Sequence, residues 1–199
     1  MVDTLNSAGR ACCPDCGELL ISTLACLECG RVLHEAADAN HYTRLGMRPE
    51  DPVDKDATEV LYLRLSRALH PDFHGNADEA GLALANRNTA LLNEAWGILD
   101  DAVARAEYRL GLLDSDALDK HKQLDPTFLM EAMEMSEEAE SGDDVLRTQI
   151  GERVRGEIAH RLKRLAEDAA WSPPDTAELA VLLHEMRVYK RILRDLEAA

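Results

Sequence analysis

Arg64-Leu65-Ser66-Arg67-Ala68-Leu69-His70-Pro71-Asp72-Phe73-His74 reads as the end of a helix followed by a stiff turn. Proline pushes the residue before it out of the α region, so a helix running through Leu65 has to stop near His70. Upstream, Ala57, Leu61, Leu65 and Ala68 recur at steps of four and three, which puts them on one helix face. Asp54 or Asp56 can serve as the N-cap. Arg64 and Arg67 fall together on a different face. Downstream, Leu84, Leu91 or Leu92, Ala95 and Leu99 mark a second long helix from about Ala77. Two long amphipathic helices joined by so short a turn predict an antiparallel hairpin. A shorter helix, about 102–112, follows Asp100-Asp101.

Past the polar run Asp119-Lys120-His121-Lys122-Gln123, three more helices are predicted: about 126–140, 143–170 and 175–197. Pro126 suits the first helical position, Gly142 separates the first pair, and Ser172-Pro173-Pro174 breaks the second. The middle helix carries the stripe Ile150, Val154, Ile158, Leu162, Leu165, Ala169. The last carries Leu179, Leu182, Met186, Tyr189, Leu193 and Leu196. Together they predict an antiparallel three-helix bundle. The first of the three has more apolar surface than one stripe: Phe128, Ala132, Met135 and Ala139 on one face, Leu129, Met130 and Met133 on the next. Periodicity allows either a wide core stripe with Met filling gaps or an exposed partner patch rimmed by Glu134 and Glu137.

Composition agrees with an all-α chain. Aromatics are only 4% of the 199 residues, while Leu, Ala, Glu and Arg, the helix formers, are abundant. The formal net charge of -16 opposes general binding to nucleic acid or anionic lipid. No apolar run approaches the roughly 20 residues of a membrane helix. The opening MVDTLNSAGR has neither a basic nor an apolar leader segment, so a cytoplasmic protein is expected. No Ser/His/Asp set or phosphate-cradling Gly-rich loop is visible, and His34, His41, His121, His160 and His184 are scattered.

All five cysteines lie in residues 12–29. Cys13-Pro14-Asp15-Cys16-Gly17 and Cys26-Leu27-Glu28-Cys29-Gly30 share one C-x-x-C-G form. Two such turns can bring four thiolates around a structural Zn²⁺, leaving no open position for catalysis. The alternatives are disulfides, disfavoured in a cytoplasmic setting, or free thiols. Cys12 could replace Cys13, though the spacing favours Cys13.

His70-Pro71-Asp72 between an Arg64/Arg67 helix and a helical partner, with Tyr42-Thr43-Arg44-Leu45-Gly46 ahead of it, resembles the J-domain. Asn93-Glu94-Ala95-Trp96, Arg105-Ala106-Glu107-Tyr108 and Asp125-Pro126-Thr127-Phe128-Leu129-Met130-Glu131 further resemble the HscB branch of that family. The resemblance covers roughly residues 41–199. It implies a co-chaperone without chemistry of its own, which binds an IscU-type iron–sulfur scaffold and stimulates ATP hydrolysis by a DnaK/HscA-class chaperone. His70, Pro71 and Asp72 would trigger the chaperone and Arg64 and Arg67 would dock it. Leu129, Met130, Met133, Glu134, Glu137 and Val188 would bind the scaffold; Val188 stands where the family has an aromatic residue. Phe73 stands where many J-domains have Lys. Two other readings are a J-domain protein with a different client, and a zinc-ribbon interaction or nucleic-acid-binding protein. The expected organisation is a flexible tail (1–11), a four-cysteine zinc module (12–40), a J-domain (41–112), a linker (113–125) and a scaffold-binding bundle (126–199). A chain lacking residues 1–30 is expected to fold, since each helical block has its own stripe.

Overall fold

The computed structural model describes residues 4–5, 11–50, 53–75, 77–168 and 175–198. It divides into two compact units, Met1–Asp101 and Ala102–Ala199. Apart from one two-stranded ladder and isolated bridges, the regular structure among the described residues is helical. The Ser172-Pro173-Pro174 break and Ala169 lie outside the described residues.

The first unit opens with β1 (Thr4–Leu5) paired antiparallel to β2 (Ala11–Cys12), so part of the expected tail is a strand. After the cysteine turns come α1 (His41–Arg44), α2 (Lys55–Leu69), a 3-10 turn (Pro71–His74) and α3 (Glu79–Leu99). Asp54 caps α2 by accepting from the Ala57 N–H at 3.1 Å. The helix ends at Leu69, and His70 is extended, with ψ 130°, as Pro71 requires. The helices form the expected hairpin. Tyr62 stacks on Trp96 at 4.9 Å between ring centroids and donates to Asn93 Oδ1 at 3.1 Å. At the open end Lys55 Nζ lies 2.9 Å from Asp100 Oδ1.

The buried face of α2 is rotated from the expected one. Thr58, Leu65 and Leu69 are buried, while Ala57 is exposed. Alanine at a helix N-terminus offers little area to bury. Thr58 goes inside because its hydroxyl donates to the Asp54 carbonyl at 2.6 Å, so nothing polar is left unpaired there.

The second unit holds α4 (Ala102–Leu113), α5 (Ala117–Lys120), α6 (Pro126–Ser141), α7 (Asp144–Asp168) and α8 (Thr176–Ala198). Helix α4 packs with the bundle. Its stripe of Val103, Ala106 and Leu110 lies against Leu165, Leu179, Leu183 and Met186. A short amphipathic helix carries no mark in its sequence of which neighbour covers it. The stretch read as a linker contains α5, whose Ala117 is fully buried in the same cluster.

Helix α6 buries Phe128, Ala132, Met135 and Ala139, the face expected of the core. They meet Ile150, Val154, Tyr189 and Ile192 from α7 and α8. One charged group is set into this core. Arg161 is 12% exposed, with Nη1 at 2.6 Å from Glu157 and Nε at 2.7 Å from Glu185. Its guanidinium lies 4.7 Å from the Tyr189 ring centroid and 5.6 Å from that of Phe128, two rings that meet edge to face. Burial lowers the Arg161 pKa, but Glu157 and Glu185 outweigh it and the net shift is upward. Arg161→Ala removes the cation and leaves Glu185 desolvated. It should lower the unfolding free energy by about 3 kcal/mol, seen as an earlier urea midpoint.

Candidate functional sites

The cysteine module is built from two copies of one hydrogen-bonding unit. In the first, Gly17 N–H donates to the Cys13 carbonyl, Cys13 N–H to Glu18, and Leu20 N–H to Ala11. In the second, Gly30 N–H donates to Cys26, Cys26 N–H to Arg31, and Leu33 N–H to Leu24. Both closing glycines have positive φ, 77° at Gly17 and 74° at Gly30, a conformation that glycine adopts without strain. Only the shared C-x-x-C-G form signalled this duplication in the sequence.

The two turns face each other. The sulfurs of Cys13 and Cys29 are 3.5 Å apart and those of Cys16 and Cys26 are 3.7 Å apart. All four lie within 4.8 Å of one another, and Cys12 is not among them. Sulfurs about 2.3 Å from a tetrahedral Zn²⁺ stand about 3.8 Å from each other, whereas a disulfide needs about 2.05 Å. The four cysteines are therefore placed for a metal and not for disulfides. Their titration shows the same crowding. Burial raises the Cys13 thiol, but the Cys16 and Asp15 N–H groups and the neighbouring thiols bring it down to about 7. At Cys16 the Glu18 N–H is the largest influence and lowers it, yet burial and the adjacent sulfurs together push it up to about 12. Four thiolates at this range need a cation among them.

The second turn is anchored in the helical part of its unit. Leu24, Ala25 and Cys26 are buried. Asn88, buried on α3, donates from its amide nitrogen to the carbonyls of Leu24 and Leu33, each at 2.8 Å. Ser22 Oγ donates to the Arg44 carbonyl at 2.6 Å. A Cβ on Gly46, whose φ is +68°, would lie 2.6 Å from Ile21. The module is part of the hairpin's core, and this overturns the basis for expecting residues 1–30 to be dispensable. Asn88 gave no sign of its role in sequence, because it falls on a stripe otherwise made of Ala and Leu.

At the other end of the hairpin, the His70-Pro71-Asp72 turn projects outward. Asp72 has 84% of its side chain exposed and His70 has 55%. The Asp72 N–H donates to His70 Nδ1 at 3.2 Å, which fixes the imidazole over the turn. His74 Nε2–H donates to the Ala68 carbonyl at 2.8 Å, closing the C-terminus of α2. Arg67 lies over the Phe73 ring at 5.6 Å. Arg64 and Arg67 have no carboxylate partner among the described residues. The turn and both arginines thus share one end of the hairpin.

On α6, Met130 is 63% exposed, Met133 62% and Leu129 40%. The second apolar face is a surface patch, not a wide core stripe. Glu134 and Glu137 are exposed beside it on the same helix. Val188 differs: it is half-buried and packs against the bundle core.

Residues 124–197 match the HSCB C-terminal oligomerisation domain family. The chain is also similar in structure to the human co-chaperone protein HscB. That match has a TM-score of 0.74 and 21% identity, over 94% of this chain and 97% of the human one. The chaperone HscB from Vibrio cholerae matches with a TM-score of 0.66 and 25% identity, over 80% of this chain and 96% of that one. Residues 124–197 thus carry the HSCB C-terminal domain, and the chain has the fold of these HscB proteins. The four-cysteine module, suited to a metal ion, lies ahead of the helical hairpin in the chain. No helix among the described residues is long and apolar enough to cross a membrane.

Proposed function

We propose that this HscB-type protein stimulates ATP hydrolysis by a DnaK/HscA-class chaperone and presents to it an IscU-type iron–sulfur scaffold, in the cytoplasm. The observation that carries the first half is the exposed Asp72 carboxylate, held by Pro71 and His70 at the end of a helix bearing Arg64 and Arg67. A fixed, solvated carboxylate can form a charge-assisted pair with a cation of the chaperone. Arg64 and Arg67 supply a local positive field on an acidic chain, which steers an acidic partner. The protein acts as an activator, and the hydrolysed bond belongs to the chaperone.

The second half rests on the α6 patch. Leu129, Met130 and Met133 give adaptable apolar contact, and Glu134 and Glu137 set its orientation. Val188 contributes through the packing that supports this face. Replacing Met130 and Met133 together by Lys should weaken scaffold binding at least tenfold, while stimulation of the chaperone without scaffold is retained. Calorimetric titration of scaffold checks the first, and single-turnover ATP hydrolysis the second. Stimulation with undiminished scaffold affinity in the double variant would point to a J-domain protein with a different client.

Cys13, Cys16, Cys26 and Cys29 would hold Zn²⁺ in a closed structural site. Metal analysis of the purified chain should find one zinc equivalent, lost together with the fold of the module in Cys16→Ser.

A further inference from the structure

A groove of about 550 Å³ runs between the second cysteine turn and the end of the hairpin. Leu27, Glu28 and Cys29 line one side, and Arg64, Arg67 and Phe73 the other. Neither arginine is neutralised by a carboxylate among the described residues, and Phe73 is 62% exposed beside them. The groove therefore offers two cations and an apolar ring on a protein whose net charge is -16. Such a site fits an acidic segment carrying an apolar side chain. Glu28 is exposed on the opposite wall and pairs with neither arginine. It leaves the cations available and repels the same acidic segment.

We propose that the second cysteine turn is one wall of the chaperone-docking groove, and that Glu28 on it limits how tightly an acidic segment of the chaperone seats against Arg64 and Arg67. This rests on the co-chaperone reading above and adds to it a role for the module in partner choice. The buried anchoring of Leu24 and Cys26 makes the wall rigid, so a bound metal holds Glu28 at a fixed place across from the arginines. Because Glu28 acts by repulsion, reversing its charge strengthens docking, an outcome that a damaged fold does not mimic.

The test uses the full-length, metal-loaded chain in single-turnover ATP hydrolysis by the chaperone at low and high salt. Glu28→Lys should lower the concentration of co-chaperone giving half-maximal stimulation by roughly three- to tenfold at low salt, with the maximal rate unchanged and the gain shrinking as salt rises. Asp38→Lys makes the same change in net charge at an exposed residue outside the groove and should shift that concentration much less. Equal shifts in the two variants would mean a general charge effect and overturn the groove. No shift in Glu28→Lys, with normal stimulation by the parent chain, would overturn the proposal and leave the co-chaperone reading standing. No stimulation by the parent chain would overturn both.

Discussion

Asp72→Asn should reduce stimulation of the chaperone's ATP hydrolysis at least tenfold while leaving the circular dichroism spectrum and melting temperature unchanged. The side chain is 84% exposed, and the His70 ring nitrogen lies 3.6 Å from it. Folding therefore gains little from its charge. The turn itself is held by the Asp72 backbone N–H on His70 and by His74 on Ala68, both retained in the variant. Asparagine keeps the size and loses the charge, so the loss would report a charge-assisted contact with the chaperone. Asp72→Glu should recover only part of the activity, since the carboxylate moves by one methylene on a rigid turn. A variant as active as the parent would reduce His70-Pro71-Asp72 to an ordinary helix terminator.

Asn88→Leu should destabilise the first unit by about 2–5 kcal/mol, visible as a fall of roughly 10 °C or more in its melting temperature. The substitution keeps the volume but strips the donor from the carbonyls of Leu24, which is buried, and Leu33, which is partly so. The carbonyl of Leu24 also closes the second hairpin through the Leu33 N–H, so the loss is felt at the metal site as well. Faster release of zinc to a chelator should accompany the lower melting point. Truncation of residues 1–34 would go further, exposing the surface that Leu24 and Ala25 now cover. An unchanged melt in Asn88→Leu would mean that the cysteine module only rests on the hairpin.

The long helices were legible because they carry local signals: a cap at Asp54, Pro126 opening α6, breaks at Pro71 and Gly142, and stripes on α6, α7 and α8. The cysteine site was equally legible, since C-x-x-C-G is a local geometry repeated. What sequence could not show was the pairing between elements. The stripe of α4 is the same whether the hairpin or α8 covers it. Thr58 looks polar in sequence and is buried because a carbonyl one turn back satisfies it. Arg161 and Asn88 are polar side chains taken inside by partners far along the chain: Glu185 accepts from the Arg161 Nε, and the Leu24 carbonyl accepts from the Asn88 amide nitrogen. On α6 the pattern assigned the Phe128 face to the core but left open whether the Leu129, Met130 and Met133 face met solvent. That depended on α7 and α8 covering the Phe128 side alone.

The most direct test of the co-chaperone reading is single-turnover ATP hydrolysis by a DnaK/HscA-class chaperone in four mixtures: alone, with the IscU-type scaffold, with this protein, and with both. This protein alone should give a modest stimulation and a larger one with the scaffold, exceeding the sum of the separate effects. Stimulation that the scaffold does not alter would contradict the presentation of that client, and a rate equal to that of the chaperone alone in all mixtures would contradict a co-chaperone role altogether.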